Sequence, residues 1–236
     1  MRSSINPLKF YILASIYFAN FCLCMYFMIA KHVKNLAFLT SWTLFMNSIY
    51  LFINLLADAF FFFTNQHKFD WLHEFSREKI APVVNSFTYM VFISFWGMAS
   101  MGSSVMKFPL DFASILKNIY QHGLITVFVM LDVFLYEHKK SKFELINIAL
   151  LFIIFILYGT SAAISIYEFD FIPYPFMNGA SFPRLCIYGG ILFLFVILGY
   201  FIHIGLNKLK YKLTKENDDI ITDGFDTKGL VVNEEV

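Results

Sequence analysis

The segment that decides the fold is "FLTSWTLFMNSIYLFINLLADAF", residues 38–60. It is long and apolar enough to cross a bilayer, because a hydrocarbon layer of ~30 Å takes about 20 helical residues. Its polar side chains recur at helical spacing, with Tyr50 among them: Thr40, Thr43, Asn47, Asn54 and Asp58. At ~100° per residue they fall within roughly a quarter of the helix circumference. Polar groups in lipid require partners or water, so we expect this face to point into a bundle of helices.

The composition agrees with a membrane protein. Hydrophobic residues make up 58% and charged residues 15% of the 236 residues, which lies outside the usual range of soluble domains. A net charge of +1 with scattered Lys and Arg argues against nucleic-acid binding. Cys22, Cys24 and Cys186 lie in apolar runs without metal-ligand spacing, so we expect them to pack and to form neither disulfides nor a zinc site. The sequence has no Gly-rich phosphate loop, and we expect no cofactor and no bound metal.

Six segments are long enough to span, which predicts an all-α fold: a polytopic membrane helical bundle with six transmembrane helices. They lie near residues 9–30, 36–63, 82–104, 114–136, 143–167 and 185–206. We read the first segment as a retained span, because it is about twice as long as a signal-peptide core. The expected domains are a six-span transmembrane domain over residues 1–207 and a cytosolic, disordered tail over residues 208–236, which is polar and then acidic.

The distribution of Lys and Arg predicts the orientation. Thirteen lie at the termini and in even-numbered loops: Arg2, Lys9, Lys68, Arg77, Lys79, Lys139, Lys140, Lys142, Lys208, Lys210, Lys212, Lys215 and Lys228. Four lie on the other side: Lys31, Lys34, Lys107 and Arg184. Because cytoplasmic loops carry the excess of positive charge, both termini are predicted to be cytosolic.

Polar faces also recur in three other segments. The fourth carries Asn118, His122, Val129 and Asp132, the fifth Asn147, Tyr158, Ser161, Ser165 and Glu168, and the third Asn85, Thr88 and Trp96. Several polar faces imply one shared polar interior. Asn, Thr and Ser in such helices often serve only as hydrogen-bonding links between helices, at about 0.6 to 2 kcal/mol each.

Two of the polar residues could form a nucleophilic pair. His122 follows Lys117 by five residues and Thr40 follows Lys34 by six, so both can lie at a similar depth. A hydroxyl beside a neutral imidazole can attack an acyl carbon while the imidazole accepts its proton. Asp58 and Asp132 lie nearer the cytosolic ends of their spans, where structural roles are favoured.

Non-enzymatic functions remain open at this stage. A transporter or proton relay would use Asp58, Asp132 and His122 as titrating groups, although no internal repeat or pair of broken helices supports it. A structural subunit of a membrane complex would instead use the 31 phenylalanines to contact a partner protein.

Several short motifs resemble those of one membrane protein family. "AFLTSWTLFMNSIYLF" (37–52) is similar to its F-L-T-x-W-x-L motif, and "LKNIYQH" (116–122), with Asp132 ten residues after the histidine, is similar to its N-x-x-x-H motif. "ISFWGM" (93–98), "MKFP" (106–109) and "FDFIPYPF" (169–176) extend the match in order over roughly residues 35–205. The chain thus resembles the androgen-induced-gene and androgen-dependent-TFPI-regulating protein family.

The resemblance implies six spans, cytosolic termini and hydrolysis of lipid esters, with fatty acid esters of hydroxy fatty acids as the substrate class. Carried over residue by residue, it implies Thr40 as the catalytic nucleophile and His122 as the base. Ile119 and Gly123 depart from the family pattern, in which histidine and threonine are usual, and they bear on substrate preference. The default expectation for location is the endoplasmic reticulum or another internal membrane.

Overall fold

The described part of the chain is almost entirely helical, as the sequence predicts. The computed structural model describes residues 7–29, 38–64, 70–100, 112–135, 143–172, 174 and 177–226. Its α-helices are α1 (Pro7–Ile29), α2 (Leu39–Thr64), α3 (Asp70–Phe75), α4 (Ala81–Ser100), α5 (Phe112–Ile119), α6 (Ile125–Leu135), α7 (Leu145–Phe169) and α8 (Phe182–Asp226). Within these ranges there is no β-strand.

Two π-helical turns join four of these α-helices into two longer helices. Ser76–Ile80 joins α3 to α4, and Tyr120–Leu124 joins α5 to α6. A π turn places one extra residue in the helical repeat and is often found at functional sites. The second of them carries His122. The spacing of ~100° per residue that we assumed for the whole fourth predicted span is therefore interrupted at this turn.

Among the described residues, four helices are long and apolar enough to cross a membrane: Leu39–Phe60, Ser76–Ser100, Leu145–Phe169 and Phe182–Thr214. The first and fourth predicted spans contain the shorter apolar helices Ala14–Leu23 and Tyr120–Phe134. The chain is thus a helical, multi-pass membrane protein, and the count of six spans stays a prediction. Helix α8 continues to Asp226, beyond the predicted domain boundary at residue 207. The first part of the predicted disordered tail is therefore helical.

Some predicted features lie outside the described residues. They are the ends of predicted spans at residues 30, 36–37, 101–104 and 136, the "MKFP" motif, the last ten residues of the tail, and Arg2, Lys31, Lys34, Lys68, Lys107, Lys139, Lys140, Lys142 and Lys228. The orientation derived from the positive charges therefore stays a prediction.

Helix α4 is the central element of the bundle. Every residue from Ala81 to Val91 is buried, and the helix packs against α2, α6, α7 and α8. Its contacts with α7 and α8 form a cluster that includes Phe87, Leu151 and Tyr200. The outer surface is apolar, as expected of a surface in lipid. Cys22 and Cys186 are exposed on that surface, so these two cysteines do not belong to the buried core.

One glycine permits the close approach of α8 to α4. A Cβ added at Gly199 would lie 2.4 Å from the backbone oxygen of Ser86, and backbone cannot move aside as a flexible side chain can. We expect Gly199→Ala to push the two helices apart and to lower the free energy of unfolding by about 1–3 kcal/mol, the usual effect of overpacking. Thermal unfolding of the detergent-purified protein would measure this.

The matched control is Gly189→Ala in the same helix, where an added Cβ meets nothing within 4 Å. In that variant the better helix propensity of alanine should leave the protein as stable as the parent or more so. Equal unfolding temperatures for the two variants would contradict the close helix approach.

Candidate functional site

Thr40 lies in the first turn of α2, where it is half-buried. The residue before it is held by the chain that follows α7, because the Leu39 backbone N–H donates to the Tyr174 hydroxyl at 3.1 Å. The Phe38 ring packs edge-on against Phe171 and Tyr174, with centroids 5.7 Å apart in both pairs. Burial raises the pKa of the Tyr174 phenol, so the acceptor of this bond is a neutral hydroxyl. The start of α2 is thus covered and oriented by Phe171 and Tyr174 of the "FDFIPYPF" segment.

The end of α7 directs that segment toward α2. Asp170 adopts the left-handed conformation, with φ of 47°, and its backbone N–H bonds to the Ser165 carbonyl. The Phe171 N–H bonds to the same carbonyl at 3.0 Å. A left-handed residue after a helix is a common way to satisfy the last carbonyls and reverse the chain. The sharp turn at Asp170 therefore brings the aromatic residues after it onto Phe38.

His122 is half-buried in the π turn Tyr120–Leu124. Its imidazole lies parallel to the Phe95 ring, with centroids 3.7 Å apart and an interplanar angle of 3°. The Trp96 indole N–H donates to the His122 backbone carbonyl at 2.9 Å. Gly123, the next residue, also lies near Trp96. A Cβ added at this glycine would be 3.8 Å from the indole, which is an ordinary van der Waals contact. Two consecutive residues of the "ISFWGM" segment thus contact the predicted base.

The helices that carry Thr40 and His122 contact each other. Leu44, one turn after Thr40, packs in a buried cluster with Tyr120 and Ile125, which flank His122 in sequence. This contact places the first turns of α2 against the π turn. A hydrogen bond between the Thr40 hydroxyl and a His122 ring nitrogen stays a prediction, with an expected length of roughly 2.6–3.2 Å.

Other members of the polar face of α2 are buried, as predicted, and Asn47 among them links α2 to α4. The Thr43 hydroxyl donates to the Leu39 carbonyl at 3.0 Å. The Asn47 side-chain amide donates to the Thr43 carbonyl at 2.8 Å and to the Thr88 hydroxyl of α4 at 2.9 Å. For Asn47, the interpretation as a hydrogen-bonding link between helices is therefore sufficient, whereas the Thr43 hydroxyl bonds within α2.

The two intramembrane aspartates also have buried partners. Asp132 accepts hydrogen bonds from the hydroxyls of Tyr17 and Tyr50, and so ties α6 to α1 and α2. Asp58 pairs with Arg77 of the first π turn at 3.6 Å, and both side chains are buried. The spacing of residues did not predict the roles of Tyr17 and Arg77, because the first segment was interpreted only as a retained span and Arg77 as a loop charge.

The comparison with protein families adds an independent observation. The family model for FAR-17a/AIG1-like protein matches residues 7–208. The chain belongs to the FAR-17a/AIG1-like family. No curated protein and no solved structure matched the chain. The match spans Thr40, His122 and the aromatic segments near them, and it confirms the membership that the motifs suggested.

The polar interior of this FAR-17a/AIG1-like chain differs in detail from the predicted faces. Trp96 is 42% exposed, and Glu168 is also exposed, so neither lies in the interior. His203 of α8, which the sequence analysis did not single out, is buried with its Nδ1 atom 3.1 Å from the Asn85 side-chain amide. Its neighbours in α8 are largely apolar, and helical spacing alone gave no sign of this pair.

Proposed function

We propose that this FAR-17a/AIG1-like protein is an intramembrane threonine hydrolase that cleaves lipid esters, with Thr40 as nucleophile and His122 as base. The observation that carries the proposal is the packing of Leu44 against Tyr120 and Ile125, which supports a common depth for Thr40 and His122. The proposed architecture has six spans and cytosolic termini. The segments around α1 and α5–α6 form two spans in addition to the four long helices.

The proposed reaction has two half-reactions. The neutral His122 imidazole accepts the proton of the Thr40 hydroxyl as the oxygen attacks the ester carbonyl carbon, and a tetrahedral intermediate forms. Its collapse breaks the bond to the alkoxide, which takes the proton from the imidazolium, and leaves the acyl group on Thr40. In the second half-reaction His122 deprotonates a water molecule that attacks the acyl carbon, which releases the fatty acid and restores the hydroxyl.

A substrate with long acyl chains fits a site within the bilayer. A fatty acid ester of a hydroxy fatty acid dissolves in lipid, so an intramembrane site avoids the unfavourable transfer of its chains into water. The half-buried Thr40 and His122 lie beside a polar interior that can admit the second substrate, water. The proposal thus names this class of ester, with an internal membrane such as the endoplasmic reticulum as the location.

The runner-up function is a non-enzymatic membrane protein, such as a transporter, a proton relay or a structural subunit. Asp58 and Asp132, the titrating groups of a relay, have Arg77 and two tyrosines as buried partners. Such partners suit fixed links between helices better than groups that gain and lose protons during transport. The structural role is therefore the better account of both aspartates.

Covalent labelling separates the hydrolase from the runner-up. A lipophilic fluorophosphonate probe should label the detergent-purified protein at Thr40, because a nucleophile activated by a base attacks the phosphorus. Mass spectrometry of the labelled peptide identifies the residue. Thr43→Val should label like the parent, and Thr40→Val should not label. A folded parent protein that takes up no probe would count against the hydrolase.

A further inference from the structure

We infer that Phe95 and Trp96 are positioning residues that hold the His122 imidazole in the orientation needed to accept a proton. This inference rests on the proposed function, since it assigns to these side chains a role in the same site. The pair acts through His122, and neither residue need touch the substrate.

Phe95 fixes the plane of the imidazole. It is buried, 6% exposed, and its ring is stacked on His122 with an interplanar angle of 3°. Stacking covers one face of the imidazole. Both ring nitrogens carry their lone pair or hydrogen in the ring plane, so a stacked partner leaves the edge used for proton transfer uncovered. The contact therefore limits rotation of the ring without blocking its chemistry.

Trp96 fixes the backbone of the same turn. Its indole N–H donates to the His122 carbonyl at 2.9 Å from a side chain that is 42% exposed at the apolar surface of the bundle. In lipid, no water competes for this carbonyl, so the loss of the bond would leave a polar group unsatisfied. A π turn departs from regular helical hydrogen bonding, and a donor from a neighbouring helix helps to hold it.

The two contacts act as one clamp, which we define as Phe95 and Trp96 against His122. The Trp96 ring also packs edge-on against Phe95, with centroids 5.3 Å apart and an interplanar angle of 88°. Successive side chains on a helix diverge by ~100°. On α4, Phe95 thus contacts the imidazole and Trp96 binds the main chain of the π turn. One helix therefore holds both the ring and the backbone of His122.

Steady-state kinetics of two variants test the clamp. Trp96→Phe removes the N–H and keeps an aromatic ring, and Phe95→Leu removes the stacking plane. For both we expect kcat of ester hydrolysis to fall roughly 10- to 100-fold with KM unchanged, as for a misplaced catalytic group. Phe95→Tyr keeps the plane and should retain most of the activity. Trp71→Phe, at a side chain that is 61% exposed in α3, is the matched control and should have the parent's kinetics.

Hydrogen exchange measured by mass spectrometry tests the same clamp without any reference to activity. In Trp96→Phe, the amides of a peptide spanning residues 120–126 should exchange faster than in the parent and in Trp71→Phe. Unchanged exchange overturns the clamp whatever the kinetics, and faster exchange with normal kcat overturns its role in positioning the base. If the parent protein hydrolyses no ester, the proposed function fails, while the exchange rates still decide whether Trp96 holds the π turn.

Discussion

Thr40→Val is expected to abolish lipid ester hydrolysis while the protein still folds and inserts into the membrane. Valine keeps the branched shape of threonine and removes the hydroxyl, so the acyl-enzyme cannot form. Thr40 is half-buried in the first turn of α2, where the change of one oxygen to a methyl group has a small effect on packing. Release of free fatty acid from an ester substrate in mixed micelles measures the loss. Thr40→Ser restores a hydroxyl and should retain part of the activity.

His122→Ala should be as damaging as Thr40→Val, because the hydroxyl without its base is a weak nucleophile. Members of one catalytic unit are strongly non-additive, so the double variant should be hardly worse than either single variant. Independent, multiplicative losses in the double variant would indicate that the two residues do not act together.

Thr43→Val is the internal control for the Thr40 experiment. Thr43 lies one turn further along α2, and its hydroxyl bonds to the Leu39 carbonyl within the helix. The variant should lose no more than about 0.6 to 2 kcal/mol of stability and should keep its turnover. If Thr43→Val were inactive and Thr40→Val active, the nucleophile would be Thr43. Parent-like hydrolysis by both the Thr40→Val and His122→Ala variants would end the hydrolase proposal.

Arg77→Met is expected to destabilise the protein by about 3–5 kcal/mol, because it leaves the buried Asp58 carboxylate without its cationic partner. The two side chains are 6% and 4% exposed, so water cannot replace the lost charge. Replacement of both partners by apolar residues, Asp58→Leu with Arg77→Met, removes the uncompensated charge and should restore most of the stability. Thermal unfolding of Arg77→Met, Asp58→Leu and the double variant beside the parent in detergent forms a complete double-mutant cycle.

Lys79→Met is the matched control for this ion pair. Lys79 pairs with Glu144 at 2.6 Å, which is shorter than the 3.6 Å of the Arg77–Asp58 pair, but its side chain is 42% exposed. Exposed ion pairs contribute little to stability because water screens both charges. Burial, and not distance, should therefore decide the ranking. A greater loss of stability for Lys79→Met than for Arg77→Met would contradict the ranking by burial.

The sequence alone was sufficient to predict a helical membrane protein and the inward face of α2. Segments of about 20 apolar residues have few alternatives to a helix in lipid, since every backbone group must be bonded internally. A polar face that recurs with helical spacing must then point toward other helices, and the burial of Asn47, Asn54 and Asp58 agrees. Both conclusions depend only on the spacing of residues along the chain and on the surrounding lipid. The sequence is therefore enough to reach them.

The surroundings of the candidate site were decided by the tertiary structure. Helical spacing identified His122 but could not predict the π turn that carries it, because that turn departs from the spacing itself. Nor could it pair His122 with Phe95 or Leu39 with Tyr174, residues that are 27 and 135 positions apart along the chain. Contacts between distant segments depend on how whole helices pack. Local periodicity therefore tells which side of a helix is buried, and only the packed bundle tells which residue it meets there.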